Sequence, residues 1–545
     1  MTIRQALICV MVILLVYSQS YAGEEPDRIV ITRDEIERMN LRRITDVLDQ
    51  LPGVKATDSS ITVRGSSNVK VLLDGRPIND PISGGVEYGD DSSGGVIIIT
   101  TRKVEAFHGN LEIYAGNLGT ESYSLNCSTN KGPVGIGMSG GYEVTDGHRP
   151  NDDEEKWRAA GKLQYAVGRN VKLMLSADYS RGRGGLPGSE NYPTPRSRKK
   201  AEMFSSVLSA AIKGVKSTTH FNRSETSNID PDKSLDTSTR ITKAGEEISI
   251  PISIEGWGKI SFGGGFEWSR ATGKQFSTQQ ENEYWIFAAK SFSSETLPLT
   301  LTTGVRSSFY SEFGEVVNPE IMARWDKEVY AVQCSWTRTN NTPSFRKRYN
   351  ETSSTKPNPD LTMEKADNFN LSFIYQPNDK FLASVSPFYS QVTDRITYVR
   401  DEEGIGRYEN FGKVTYKGME FSFDWKVLSS FSLKAHYMYL EAKDENTGYW
   451  LPLKAKHRVG MDLICTPRED IAIMLNSKYV SRRYSRSNNT GAVSEYCVAD
   501  FRCEYSLRGV AVFCEIKNMF DKYYFYSEGY PAAPRTWIVG VNYEF

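Results

Sequence analysis

The sequence predicts an all-β transmembrane barrel of about 22 antiparallel strands with a small N-terminal α+β domain inside its lumen. Three observations predict it. From Val104 to Phe545 the chain runs in short segments that alternate apolar and polar residues, separated by turn residues. The connections between these segments alternate between short and long. The stretch before them carries a different, partly helical pattern.

The alternation is clearest at the C-terminus. Trp537, Val539, Val541, Tyr543 and Phe545 share one face, and Thr536, Ile538, Gly540, Asn542 and Glu544 share the other. Phe369, Leu371, Phe373 and Tyr375 repeat the pattern, as do Phe421, Phe423, Trp425 and Val427. A greasy face towards lipid and a polar face towards a wet or filled lumen explain this. A soluble sandwich would also alternate, but a sandwich gives no reason for the parity of the connections. After even-numbered strands they are short: Asn130–Pro133, Gly168–Asn170, Lys213-Gly214, Gln376–Asp379, Leu428–Ser430, Pro467–Asp470 and Leu507–Gly509. After odd-numbered strands many are long and polar, including Thr145–Glu155, Arg181–Lys200, Asn340–Thr362 and Asp521–Arg535. Short periplasmic turns and long outer loops produce this parity.

The N-terminal region divides at residue 22. Arg4, the apolar run Ala6–Val16 and the small residues of Ser20-Tyr21-Ala22 have the layout of a cleaved secretory signal. Residues 23–103 form the small domain and residues 104–545 the barrel. Asp34–Leu51 has apolar residues near helical spacing, and Pro52-Gly53 ends it. Ile61–Val63, Val69–Leu73 and Val96–Thr100 read as strands.

Composition excludes several classes. The net charge of -1 carries no basic excess for nucleic acid. The mean hydropathy is negative, unlike that of a helical membrane protein. Six cysteines follow the signal, with no C-x-x-C pair, so a metal knuckle has no support. Parity puts Cys497, Cys503 and Cys514 on the lipid side as small apolar residues. The histidines are scattered and no H-E-x-x-H occurs. No Ser-His-Asp or paired-carboxylate site can be placed, so no catalytic residue, enzyme activity or cofactor is expected.

Several segments resemble TonB-dependent receptors of the bacterial outer membrane. "VITRDEIERMNLRRITDVLDQLPGV" (Val30–Val54) resembles the opening of their plug domain, and "ITVRG", "VLLDGRPIND" and "SSGGVIIITTRK" resemble its later strands. "PNPDLTMEKADNFNLSF" (Pro357–Phe373), "IKNMFDKYY" (Ile516–Tyr524) and the closing "RTWIVGVNYEF" resemble barrel segments. The resemblance frames nearly the whole chain. It implies a plug whose structural residues include Arg64, Gly65, Asp74, Gly75, Gly94 and Gly95. It implies a monomer that binds a metal chelate, a ferric siderophore or cobalamin, and imports it by coupling to the TonB-ExbB-ExbD complex. It implies a terminal aromatic, Phe545, read by the barrel insertion machinery.

The chain departs from the family pattern twice. Family members carry a segment resembling I-E-V-I-x-G-P-x-x-x-x-Y-G where this chain has only "PISGGVEYGDDS" (Pro81–Ser92). Asp27-Arg28-Ile29-Val30-Ile31-Thr32 resembles a TonB box, an extended strand that pairs with the partner's sheet edge, and it also aligns with the first plug strand. If it is the plug strand, an uncoupled passive channel or receptor is the alternative.

Two loop features complete the expectations. Asp152, Asp153, Glu154 and Glu155 cluster as carboxylates that suit Ca2+; a solvated charge run is the other reading. Tyr523, Tyr524, Tyr526 and Tyr530 are ligand-platform candidates in the last outer loop, where membrane-interface aromatics also occur. Gly263-Gly264-Gly265, inside a strand, is expected to relieve crowding on the barrel wall.

Overall fold

The computed structural model describes residues 44–57, 60–74, 76–77, 95–101, 104, 107–168, 170–254, 258–294, 296–352, 355–400, 405–410 and 412–545. The signal segment, Asp27–Thr32, Gly75 and Gly94 lie outside the described residues.

Twenty-two antiparallel strands close into one barrel. The first, His108–Gly116, pairs with the last, Thr536–Glu544, through Ile113↔Val541 and Ile538↔Gly116. Closure removes the sheet edges that lipid could not hydrogen-bond. The residues given one face by the alternation do point outward: Trp537, Val539, Val541, Tyr543 and Phe545 are all exposed, as are Phe369, Phe373, Phe421 and Trp425. The opposite face is polar and covered, with Ser205, Arg306, Ser308, Asn318 and Asn340 buried.

The parity of the connections holds in the structure. Each of the seven short connections follows an even-numbered barrel strand, as between Glu121–Lys131 and Val134–Thr145 or Tyr496–Leu507 and Val510–Lys517. Four outer connections are also short, one after His108–Gly116 and three on the side that follows Val215–Asp230, Gly258–Gly273 and Leu299–Tyr310. There the strands themselves are long: Leu235–Ile254 has 20 residues and Phe276–Ser293 has 18. At about 3.4 Å per residue these exceed the 9–11 residues needed to cross the bilayer. The outer wall is therefore sheet on this side and loop on the other.

Gly263 and Gly265 lie on the inner face under Phe287 and Trp285, which are buried against each other. A Cβ at Gly265 would meet Trp285 Cζ2 at 2.6 Å, and one at Gly263 would meet the Ile248 carbonyl oxygen at 2.7 Å. The wall accommodates two large rings because these positions have no side chain. Cys503 faces Cys514 across adjacent strands, and both are free.

The small domain is built around Leu48, Val54 and Ala56, with Leu51, Ile61, Val63 and Ile97 packed on them. Helix α1 (Ile44–Asp49) ends before Pro52-Gly53, and Gly53 turns at φ 71°. The expected strands appear as Ser60–Val63, Val69–Leu73 and Gly95–Ile99. Val54–Thr57 pairs with Ser60–Val63, and Val69–Leu73 runs parallel to Gly95–Ile99. Val54–Thr57 and Arg76-Pro77 are strands that apolar patterning missed, because both are too short to show a period.

Candidate functional site

The small domain meets the inner wall of the barrel through ion pairs and hydrogen bonds. Arg64 sits at φ 50°, just before Gly65 at φ 83°, in a turn that points its side chain at the wall. Its Nε and Nη2 donate to the two carboxylate oxygens of Glu420 at 3.1 and 2.8 Å. Nη1 donates to Asn370, and the guanidinium lies 4.8 Å from the Phe388 ring centroid. A fork on a carboxylate fixes orientation as well as distance. Gly65 presses on the wall beside it: a Cβ there would meet Leu440 Cδ2 at 2.8 Å. Leu440 belongs to an apolar inner patch with Ala366, Phe388, Val414, Tyr416 and Met438.

Asp74, also left-handed at φ 50°, accepts from the Thr101 amide and hydroxyl and lies 3.9 Å from Lys162 Nζ on the wall. Lys162 in turn donates to Thr101. Asn68 donates to Glu364 of the barrel at 3.0 Å. Gly95 turns at φ 130°, and a Cβ there would meet Val63 Cγ1 at 3.8 Å.

Asp49, the last residue of α1, receives three donors. Arg458 reaches Oδ1 at 3.1 Å, the Ala56 amide reaches it at 3.0 Å, and Lys478 reaches Oδ2 at 2.7 Å. Burial raises the pKa of this carboxyl, but Lys478 and Arg458 outweigh it and hold Asp49 below the usual range. Arg458 also donates to the Val54 carbonyl, and Asp46 pairs with Lys517 at 3.0 Å. Arg458 opens its strand and Lys478 lies near the end of its own, next to the long connections 445–456 and 481–495. This side of the small domain therefore faces the outer loops.

Of the residues singled out in the sequence, the structure gathers Arg64, Gly65 and Asp74 at the wall. It does not gather the loop carboxylates. Asp152 pairs with His148, Asp153 with Arg198, Glu154 with Lys156 and Lys199, and Glu155 with Arg183. Each has its own basic partner, and no group of three metal-ligating side chains occurs among the described residues. The four tyrosines also separate. Tyr524 stacks on Tyr496 at 4.2 Å within a buried cluster with Ala455, Val480 and Val498. Tyr526 and Tyr530 are exposed, and Tyr523 is exposed with its hydroxyl bound to Glu190. Phe545 pairs its backbone with Gly109 at the closing seam and stacks on Tyr543.

The sequence reading missed Glu420, Lys162, Glu364, Arg458, Lys478 and Asp49. The ion pair of Lys162 with Asp74 spans 88 residues of chain, and the other plug–wall pairs of these residues span 296 to 429, as in Asn68–Glu364 and Asp49–Lys478. The five barrel residues are ordinary polar residues on inward strand positions and Asp49 closes a short helix, so no local signal marks them.

A closed, lipid-facing barrel with a small domain held to its inner wall by polar contacts is the class of plugged transmembrane barrels. The family models "TonB dependent receptor-like, beta-barrel" and "TonB-dependent Receptor Plug Domain" match residues 106–519 and 24–107. The chain belongs to the TonB-dependent receptors. It is similar to the vitamin B12 transporter BtuB of Photobacterium profundum, at 21% identity over 95% of this chain and 92% of that protein. BtuB of Vibrio cholerae is 22% identical over 97% and 94%. Among solved structures, the siderophore receptor PirA from Acinetobacter baumannii superposes with a TM-score of 0.79 at 16% identity, over 94% of this chain and 98% of that one. The FrpB iron transporter from Neisseria meningitidis gives 0.80 at 13% identity, over 95% and 98%.

Proposed function

We propose that this chain is an outer-membrane receptor that imports a scarce metal chelate, a ferric siderophore or cobalamin, into the periplasm with energy from TonB. The observation that carries the reading is the plug contact: Arg64–Glu420, Asp74–Lys162 and Asp49 with Arg458 and Lys478. Polar contacts of this kind re-form with water once pulled apart, unlike an interdigitated apolar core, so a plug held by them suits repeated displacement. Relatives named as vitamin B12 transporters and a neighbour named as a siderophore receptor support the cargo class.

In this reading residues 1–22 are removed on export, and residues 23–103 and 104–545 act as plug and barrel. Asp27–Thr32 is the coupling strand for the TonB-ExbB-ExbD complex. Phe545 is the insertion signal, outer-membrane lipid surrounds the apolar exterior, and the protein works as a monomer. Tyr523, Tyr526 and Tyr530 remain platform positions for the chelate. The chain carries out no chemical step.

The test is uptake of labelled ferric chelates and of cobalamin by cells that depend on this protein. Uptake that stops with a protonophore and with deletion of residues 27–32 supports energised import. Uptake indifferent to both selects the uncoupled channel instead.

A further inference from the structure

Among the described residues, the outer end of the lumen holds more positive charge than the carboxylates there neutralise. Lys55 follows Val54, whose carbonyl Arg458 holds at 2.8 Å. Arg483 lies on the outer loop 481–495, and Lys454 on the loop 445–456. These loops are joined: the Leu453 amide donates to the Tyr484 carbonyl at 2.7 Å, and Ala455 packs with Tyr496 and Tyr524. Arg395 stands at the base of the loop after Phe381–Thr393, beside Ile396. Electrostatic coupling links Lys55 to Arg458, Arg483 and Lys478, and Lys454 to Arg395 and Lys55.

Two carboxylates beside the cluster are spoken for. Asp49 is taken by Arg458, Lys478 and the Ala56 amide. Glu364 accepts from the Ile396 amide and from Asn68 and Asn341. Among the described residues, Lys55, Lys454 and Arg395 form no ion pair. Arg483 is 3% exposed; Nη2 donates to the Phe525 and Tyr526 carbonyls, while Nε and Nη1 have no partner. Its guanidinium lies 5.4 Å from the Tyr496 ring centroid; Tyr524 packs tilted on Tyr496 at 4.2 Å, and Tyr526 meets Tyr524 edge-on at 5.6 Å.

Such a cluster of like charges is unfavourable by itself. Burial, then the neighbouring cations, lower both Lys55 and Lys454 to about 8. An unpaired buried guanidinium nitrogen adds the cost of lost hydration. Perturbed, unneutralised groups of one sign that converge beside a ligand's entry path mark a binding site for the opposite sign.

The geometry points to an anion-recognition site formed by Lys55, Arg395, Lys454 and Arg483, which takes a metal chelate of net negative charge through its acidic oxygens. This deepens the import reading and rests on it. An uncharged corrinoid would leave the cluster as it stands. An anionic complex offers acceptors to Arg483 Nε and Nη1 and counter-charge to the three unpaired cations, with the tyrosine wall as an apolar flank.

The test uses the full-length protein in detergent and tryptophan quenching with three probes. They are the triply negative iron(III) tris(catecholate) complex, a neutral iron(III) tris(hydroxamate) and cyanocobalamin. The wild type is expected to bind the first most tightly and to lose affinity for it as salt rises. Arg395→Gln and Lys454→Gln are each expected to weaken it by about tenfold, the scale of one charge-assisted contact. Binding of the neutral probes is expected to move by less than this. Arg395→Gln alters a loop cation that forms no ion pair among the described residues and keeps the test valid if Lys454→Gln fails to fold, which gel mobility of the unheated barrel reports. A neutral probe bound as tightly as the anion, or anion binding untouched by both variants, overturns the anionic site and leaves import standing. Failure of every chelate to bind a folded protein overturns both.

Discussion

Glu420→Gln is expected to loosen the plug without weakening the barrel. The Glu420 side chain is 9% exposed and Arg64 is 29% exposed, and two hydrogen bonds join them. Breaking a fully buried pair from one side costs about 3–5 kcal/mol. Arg64 retains water, Asn370 and the face of Phe388, so the loss falls to about 1.5–3 kcal/mol, the range for hydrogen bonds to charged groups. The contact joins plug to wall and lies outside the barrel's backbone ladder, so the loss belongs to plug docking. At about 1.4 kcal/mol per decade, local opening becomes about 10- to 100-fold more frequent. Hydrogen–deuterium exchange of the purified protein reads this directly. Peptides covering residues 54–63 are expected to exchange faster, and those of Val414–Leu428 to stay as they were. Arg64→Lys, which keeps the charge and loses the fork, is expected to fall between. Unchanged protection at 54–63 in a folded Glu420→Gln protein would refute the latch.

Three further outcomes follow from the structure. Gly265→Val would drive side-chain atoms into Trp285 and is expected to cost about 1–3 kcal/mol by overpacking, read as a lower temperature at which the barrel loses its fast gel mobility. Affinity for an anionic chelate is expected to fall as pH rises from 7 to 9: Lys55 and Lys454, depressed to about 8, are charged below that value and neutral above it. Two of the four cations are arginines, a side-chain type that does not deprotonate in proteins, so the fall is partial, and the bound anion moves its midpoint above 8; a flat profile would count against the lysines. Removing Phe545 takes away the backbone pair with Gly109 and the ring stacked on Tyr543, and is expected to slow assembly of the folded barrel, followed by time-resolved gel mobility; unaltered kinetics would remove its role as a signal.

The order of the chain alone determines the barrel. Strand faces repeat every two residues and turn residues stand at fixed intervals, so alternation around Trp537–Phe545 and the parity of turns such as Lys213-Gly214 expose both wall and topology. The turn residues Arg64 and Gly65 are legible for a similar reason, since a left-handed backbone next to a charged side chain is a local device. Tertiary structure alone decides what that device grips. Glu420 lies 356 residues from Arg64, and Lys478 lies 429 from Asp49, each one of many inward polar residues on its strand. It also decides which charges are paired: Asp152–Glu155, which in the chain read as a cation site or as a solvated charge run, take separate basic partners, while Lys55, Arg395, Lys454 and Arg483, the cations of the proposed anion site, carry no signal in the chain. Periodicity is a property of neighbours in sequence. Coulomb energy depends on distance in the folded molecule, and closing the barrel is what sets those distances.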